Sequence, residues 1–128
     1  MTLGVWKPAS GHLPTLAGLT ALLDQLPNEA LESLDGLAAN GFDAQRSWGK
    51  LPAQSWEIVE GLSTEQILQL IRFFTLSEHH WAGWEAGKLS PVIPMVAILK
   101  QRDAFEAPFR RWIKSNTDNR YLPNGAIL

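Results

Sequence analysis

The chain has 128 residues, of which 45% are hydrophobic and 19% charged, and its formal net charge at pH 7 is −2. This length predicts a single domain spanning residues 1–128, and the apolar content excludes a chain that is disordered throughout. The absence of cysteine excludes disulfides, thiolate nucleophiles and cysteine-based metal sites.

Leucine spacing in the first third of the chain predicts a helical hairpin over about residues 13–40. Its first helix runs from about 13 to 26, with leucines recurring at intervals of three and four residues, at positions 16, 19, 22, 23 and 26. Pro27 ends this helix, and Asn28 is placed to cap a second one. The second helix carries Leu31, Leu34 and Leu37 and ends at Asn40 and Gly41.

The next segment predicts short helical turns rather than a long element. Phe42 and Trp48 anchor a turn over residues 42–50. Pro52 then begins another short helix, whose apolar side chains are Trp56, Ile58, Val59 and Leu62.

The strongest pattern in the chain predicts a central buried helix over about residues 64–82. Ser63 and Gln66 form the two ends of a capping box, in which each side chain satisfies an N–H group at the start of the helix. The apolar face that follows is unusually wide, as expected for a helix that is packed on more than one side.

Two further helices complete the predicted core, which extends over about residues 52–116. The apolar run from Val92 to Leu99 is predicted to be helical rather than a buried strand, because residues 100–102 continue it into a cationic last turn. Pro108 begins the last helix. Residues 117–128 are predicted to form an extended tail, docked through Tyr121 and Leu122. The whole pattern predicts an all-α bundle of about five to six helices.

The segment from residue 78 to residue 85 is the one place where the sequence suggests chemistry. Helical geometry puts Glu78 on the apolar stripe of the central helix, one turn beyond Ile71 and Phe74, whereas His79 and His80 point elsewhere. A carboxylate in apolar surroundings must be paired, protonated or bound to a cation. The candidate ligand-binding residues are Glu78, His79, His80, Trp81, Trp84 and Glu85.

Two interpretations of Glu78 remain open at this stage. It lies at the rim of the core, bonded to an arginine, an indole N–H or the backbone, or it belongs to a ligand or acid–base pocket lined by Trp81 and Trp84. No metal site is predicted, because adjacent histidines diverge by about 100° and His12 is remote in sequence. No cofactor and no known catalytic motif is indicated.

The C-terminal part of the chain is basic. Residues 100–128 hold six Lys or Arg against three Asp or Glu, whereas residues 1–99 hold five against ten. The candidate contacts for an anionic partner are Arg110, Arg111, Lys114 and Arg120. The aromatic residues between these cations have the spacing of a buried stripe, so the cations are interpreted as the solvent-exposed face of the last helix. Nucleic acid is therefore not the expected partner.

The sequence alone therefore favours a non-catalytic protein-interaction module or a small subunit of an assembly. The wide apolar face of the central helix and the six tryptophans suggest a homodimer or a partner groove, although core filling accounts for the tryptophans equally well. The alternative is a small-molecule-binding protein or enzyme that uses Glu78. Because the first residues lack a secretion signal and no long apolar stretch follows, a cytoplasmic location without membrane association is expected.

Overall fold

Residues 13–125, the part of the chain that the computed structural model describes, form helices and connecting turns without any strand. The α-helices are α1 (Leu16–Asp24), α2 (Asp43–Arg46), α3 (Thr64–His80), α4 (Val92–Gln101) and α5 (Ala107–Ser115). Shorter 3-10 helices span Ala39–Phe42, Ser47–Lys50, Ala53–Gly61 and Gly87–Leu89. The predicted all-α bundle is confirmed. Within these residues no helix is both long and apolar enough to cross a membrane.

Helix α3 is the predicted central helix, and its start is fixed by the predicted capping box. The Gln66 amide N–H donates to the Ser63 hydroxyl over 3.1 Å, and the Ser63 amide N–H donates to the Gln66 side-chain oxygen over 2.8 Å. From Ile67 onward most of the helix circumference is buried, because α1 and α4 both pack against it. The wide apolar face of this helix is therefore covered within the fold.

Aromatic rings fill the space beside α3. Phe73 contacts the rings of Phe42, Phe74, Trp81 and Trp84 at centroid distances between 5.1 and 5.9 Å, in tilted or edge-to-face arrangements. Such geometries are the favoured ones for aromatic pairs. The tryptophans within residues 13–125 are either buried or packed against the core: Trp48, Trp56, Trp81, Trp84 and Trp112.

The predicted N-terminal hairpin is wrong in its second half. Helix α1 is shorter than predicted, and residues 27–38 contain no helix. The reason is a set of hydrogen bonds from α3: the Gln69 amide group donates to the carbonyls of Pro27 and Glu29 and accepts from the Leu31 N–H, at 2.9–3.0 Å. These bonds hold the backbone in an open path and compete with local helix formation, which is weak in so short a segment.

Arg72 joins this open segment to the last helix. Its guanidinium lies over the rings of Trp112 and Phe109, at 4.6 and 5.3 Å from their centroids, and its Nη1 is 3.3 Å from Glu32 Oε2. The indole N–H of Trp112 donates to the other oxygen of Glu32 over 2.9 Å. The aromatic face of α5 is thus held against α3 by stacking, charge and a hydrogen bond together.

The C-terminal half follows the predicted order. Residues 92–101 form helix α4, as predicted, and not the alternative buried strand. Pro94 lies in the first turn, where a backbone N–H would have no partner within the helix. After α5, residues 117–119 have no regular secondary structure and residues 120–125 form turns and a bend, so the predicted extended tail is wrong over residues 120–125. Leu122 is buried and Tyr121 half-buried, so the tail docks through the predicted side chains. The rest of the predicted tail, residues 126–128, lies outside the described residues.

We expect Gln69→Ala to lower the free energy of unfolding by about 1–2 kcal/mol, since three backbone groups of residues 27–31 lose their partner. Hydrogen exchange of the Leu31 amide should accelerate more than exchange within α4. Gln101→Ala is the matched control, because Gln101 is exposed and its side chain has no hydrogen bond among the described residues. Unchanged exchange at Leu31 would contradict the role assigned to Gln69.

Candidate functional site

Glu78 lies near the end of α3 on the same side as Ile71 and Phe74, as helical geometry predicts, and it is only 6% exposed. Within residues 13–125 its carboxyl group bonds to no arginine, indole or backbone group. Instead, the hydroxyl of Ser90 donates to Glu78 Oε2 over 2.7 Å. Ser90 is itself buried and accepts a hydrogen bond from the Val92 amide at the start of α4, over 3.2 Å. The hydroxyl is therefore fixed in place by the next helix.

The second carboxyl oxygen of Glu78 has no such support. Oε1 is buried and has no hydrogen-bond partner among the described residues, where it is the one carboxyl oxygen in this condition. A buried polar atom left without a partner costs about 1–3 kcal/mol. The site therefore contains an unsatisfied polar atom, and this atom has almost no surface open to the cavity.

Burial raises the pKa of Glu78 from its ordinary value of 4.5 to about 8, and the hydrogen bond from Ser90 acts in the opposite direction by favouring the ionised form. At neutral pH the group is therefore mostly the neutral acid.

Glu78 lies in the wall of a cavity of about 390 Å³. Three parts of the chain form the walls: the end of α3, the loop that follows it, and the tail beyond α5. The lining residues are Glu78, His79, Glu85, Ala86, Gly87, Thr117, Asp118 and Asn119. We call this cavity the Glu78 pocket.

Hydrogen bonds between the loop and the tail hold the far wall of the Glu78 pocket. The Asn119 side-chain amide donates to the Gly87 carbonyl over 2.9 Å, and its oxygen accepts from the Tyr121 amide over 3.0 Å. Gly87 has a φ of +55°, a conformation that residues with a side chain rarely adopt. Asn119 is therefore the residue that fixes the tail against the loop.

The ionisable groups in the pocket wall are mostly acidic. Glu85, Asp118 and Glu78 contribute carboxyl groups, and His79 contributes an imidazole whose Nδ1 is 4.0 Å from Asp118 Oδ2. No lysine or arginine is among the lining residues. One oxygen of Glu85 accepts from the Gly83 amide over 3.1 Å, which orients that side chain.

The structure brings together three of the six residues predicted for a ligand site, Glu78, His79 and Glu85. The prediction that Trp81 and Trp84 line the pocket is wrong. Trp84 is 3% exposed and contacts Trp81 within the aromatic core, at a centroid distance of 5.3 Å. Both rings pack against Phe73 instead of lining the Glu78 pocket.

His80 also lies apart from the Glu78 pocket. It borders a separate cavity together with Trp81, although its ring contacts that of His79 at 4.8 Å. Within residues 13–125 no three His, Asp or Glu side chains are grouped closely enough to hold a metal ion. His12 lies outside the described residues.

Sequence reasoning missed the other half of the pocket. It did not single out Asp118 and Asn119, which lie in the pocket wall. Their polar side chains carry no periodic signal, and their meeting with Glu78 depends on the path of the tail, which sequence spacing does not specify.

The basic C-terminal residues are exposed, as expected for the solvent-exposed face of the last helix. Arg110, Arg111, Lys114 and Arg120 all lie at the surface. The aromatic side chains between them are engaged within the fold, since the rings of Phe109 and Trp112 stack on each other and under Arg72. A role in binding an anionic partner stays a prediction.

We expect the stability of the protein to fall as pH rises from about 5 to 8. The unfolded chain releases the Glu78 proton near 4.5, whereas the folded state holds it up to about 8, so the folded state binds more protons in this range. The difference in unfolding free energy between wild type and Glu78→Gln should therefore change by roughly 1 kcal/mol for each pH unit, in favour of the variant as pH rises.

Urea unfolding at intervals across this pH range measures the effect. Glu57→Gln is the matched control, since Glu57 is exposed and its side chain has no hydrogen bond among residues 13–125. Its profile should parallel that of wild type. If the Glu78→Gln profile were also parallel, the buried acid would not be titrating as described.

Comparison of the chain with protein families, with curated proteins and with solved structures finds no match. The roles considered for the pocket residues therefore rest on their geometry and chemistry.

Proposed function

We propose that this protein binds a small molecule in the Glu78 pocket. The observation that carries the proposal is the buried carboxyl group of Glu78, whose Oε1 has no partner in the described structure although it belongs to a residue of the cavity wall. Polar groups buried in this way are normally satisfied, and exceptions call for a specific explanation. A ligand supplies one if its binding displaces the side chains that cover Oε1.

The size and make-up of the pocket support this proposal. Its volume of about 390 Å³ falls within the range of small-molecule sites, which is roughly 300–1,000 Å³. Its wall combines fixed polar groups, such as those of Glu85 and Asn119, with the small side chain of Ala86. The proposal concerns binding, and no reaction is part of it.

The sequence also favoured a protein-interaction module or a homo-oligomer, and the argument for these rested on the wide apolar face of α3. In the described structure that face packs against α1 and α4. The large apolar side chains that are exposed are Leu13, Leu16 and Leu89, each at about two-fifths of its surface. Oligomerisation, a protein partner and a cytoplasmic location stay predictions from the sequence.

A fragment library of mixed charge, screened by ¹⁵N–¹H NMR, tests the proposal. We expect binders to shift the amides of residues 78–79, 85–87 and 117–119 together, because these residues line one pocket. Glu78→Leu should weaken such binders by at least about tenfold, since it removes the carboxyl group from the pocket wall.

Glu57→Leu is the control for an equivalent change at the surface, and the amide spectrum of each variant reports whether it is folded. A library with no compound that shifts these amides would count against the proposal. So would binders that Glu78→Leu leaves unaffected while the variant remains folded.

A further inference from the structure

The buried carboxyl group of Glu78 has too few hydrogen-bond donors around it to hold a negative charge. Ser90 donates to Oε2, whereas Oε1 is covered and has no partner among the described residues. A buried carboxylate that stays ionised is normally paired with a cation or accepts several hydrogen bonds, and no lysine or arginine lines the cavity beside Glu78. The closed structure therefore suits the neutral acid and not the ionised one.

The segments around Glu78 differ in how firmly they are packed. Helices α3 and α4 contribute many of the fully buried side chains of the core. Residues 85–89 of the loop and residues 117–119 of the tail, which we call the outer wall, are exposed or half-buried. Among the described residues, one hydrogen bond joins the two parts of the outer wall, from the Asn119 side chain to the Gly87 carbonyl. Segments with so few buried contacts open locally at lower free energy than packed helices.

We infer that ionisation of Glu78 opens the outer wall, so that residues 85–89 and 117–119 separate locally from the end of α3 while α3 and α4 stay folded. The separation admits water to the carboxylate, which the closed structure covers. One buried acid then controls access to the Glu78 pocket in response to pH. No ligand takes part in this opening, so the inference is independent of the proposed function.

The sign of the pH effect follows from proton binding. In the closed structure burial raises the pKa of Glu78 to about 8, whereas in the open form water reaches the group and its ordinary value of 4.5 applies. The closed form therefore binds the proton more tightly. The equilibrium constant for opening rises about tenfold for each pH unit between about 5 and 8 and levels off above pH 8, where both forms are ionised.

Other charged groups face the outer wall, and their contributions must be separated from that of Glu78. They are His79, Glu85, Lys88, Asp118 and, beside Gly83, the guanidinium of Arg46. His79 Nδ1 lies 4.0 Å from Asp118 Oδ2, so a protonated His79 attracts the tail. Loss of that proton favours opening in the same direction as ionisation of Glu78, and a His79 variant is therefore needed.

Hydrogen exchange of the full chain, measured by NMR between pH 6 and pH 9, tests the inference. The reporters are the Leu89 backbone amide and the Asn119 side-chain amide, which donate to the carbonyls of Ala86 and Gly87. We expect their protection factors to fall about tenfold for each pH unit up to about pH 8 and to level off above it. Low concentrations of urea should leave these values unchanged, because a local opening exposes little surface, whereas global unfolding is promoted by urea.

Four variants assign the effect to its source. Glu78→Gln should remove the fall in protection, since an amide does not ionise. Ser90→Ala should move the level part of the profile to higher pH, because the hydrogen bond that favours the ionised form is lost. His79→Gln should keep the tenfold change between pH 7 and pH 8, and Glu57→Gln should match wild type.

Three results would overturn the inference: reporter protection that does not change with pH, a fall that a folded Glu78→Gln variant retains, or a fall that occurs only together with urea-dependent exchange throughout α4. If Glu78→Gln does not fold, Ser90→Ala decides, and a profile that levels off at or below the pH found for wild type would contradict the inference. Because no ligand is added, none of these outcomes bears on the proposed function.

Discussion

The structure depends on helix α3 being packed along most of its circumference, and this constraint places a carboxyl group inside the protein. The side of the helix that buries Ile71 and Phe74 continues for one more turn, and the residue at that point is Glu78. An apolar residue there would satisfy the packing without any cost of desolvation. The chain instead supplies Ser90 as a donor from the start of α4, which supports one oxygen and leaves the other unsupported.

This partial support is the observation behind the proposed binding role of Glu78. A structural acid is usually paired fully, because each buried atom left without a partner lowers stability. The unsupported oxygen belongs to a residue that borders a cavity, and the neighbouring side chains are polar and fixed by hydrogen bonds to the backbone. Stability given up at one atom is a common feature of sites that bind or react, where the missing partner arrives with the ligand.

The sequence predicted what local rules determine. The capping pattern of Ser63 and Gln66 predicted the start of α3. The spacing of the apolar residues that follow predicted that Glu78 lies among buried neighbours. Local rules failed where distant residues decide the outcome. Residues 27–38 have helical spacing but stay open because Gln69 takes their backbone groups. Trp84 follows Glu78 closely in sequence, but the ring of Trp84 packs against Phe73 in the core. The position of the tail wall could not be predicted, because it depends on the hydrogen bonds of Asn119 to Gly87 and Tyr121, which sequence spacing does not specify.

The hydrogen bond between Asn119 and Gly87 joins the tail to the loop, and this contact bears on how the protein would respond to a bound ligand. The far side of the cavity is formed by residues 117–119, which have no regular secondary structure, and such segments open locally at lower free energy than a packed core. Detachment of residues 117–119 would remove the wall while α3 and α4 remain folded. Ligand binding in the cavity and attachment of the tail are then linked equilibria. A bound ligand stabilises the attached tail, and a partner that binds the detached tail removes the ligand site.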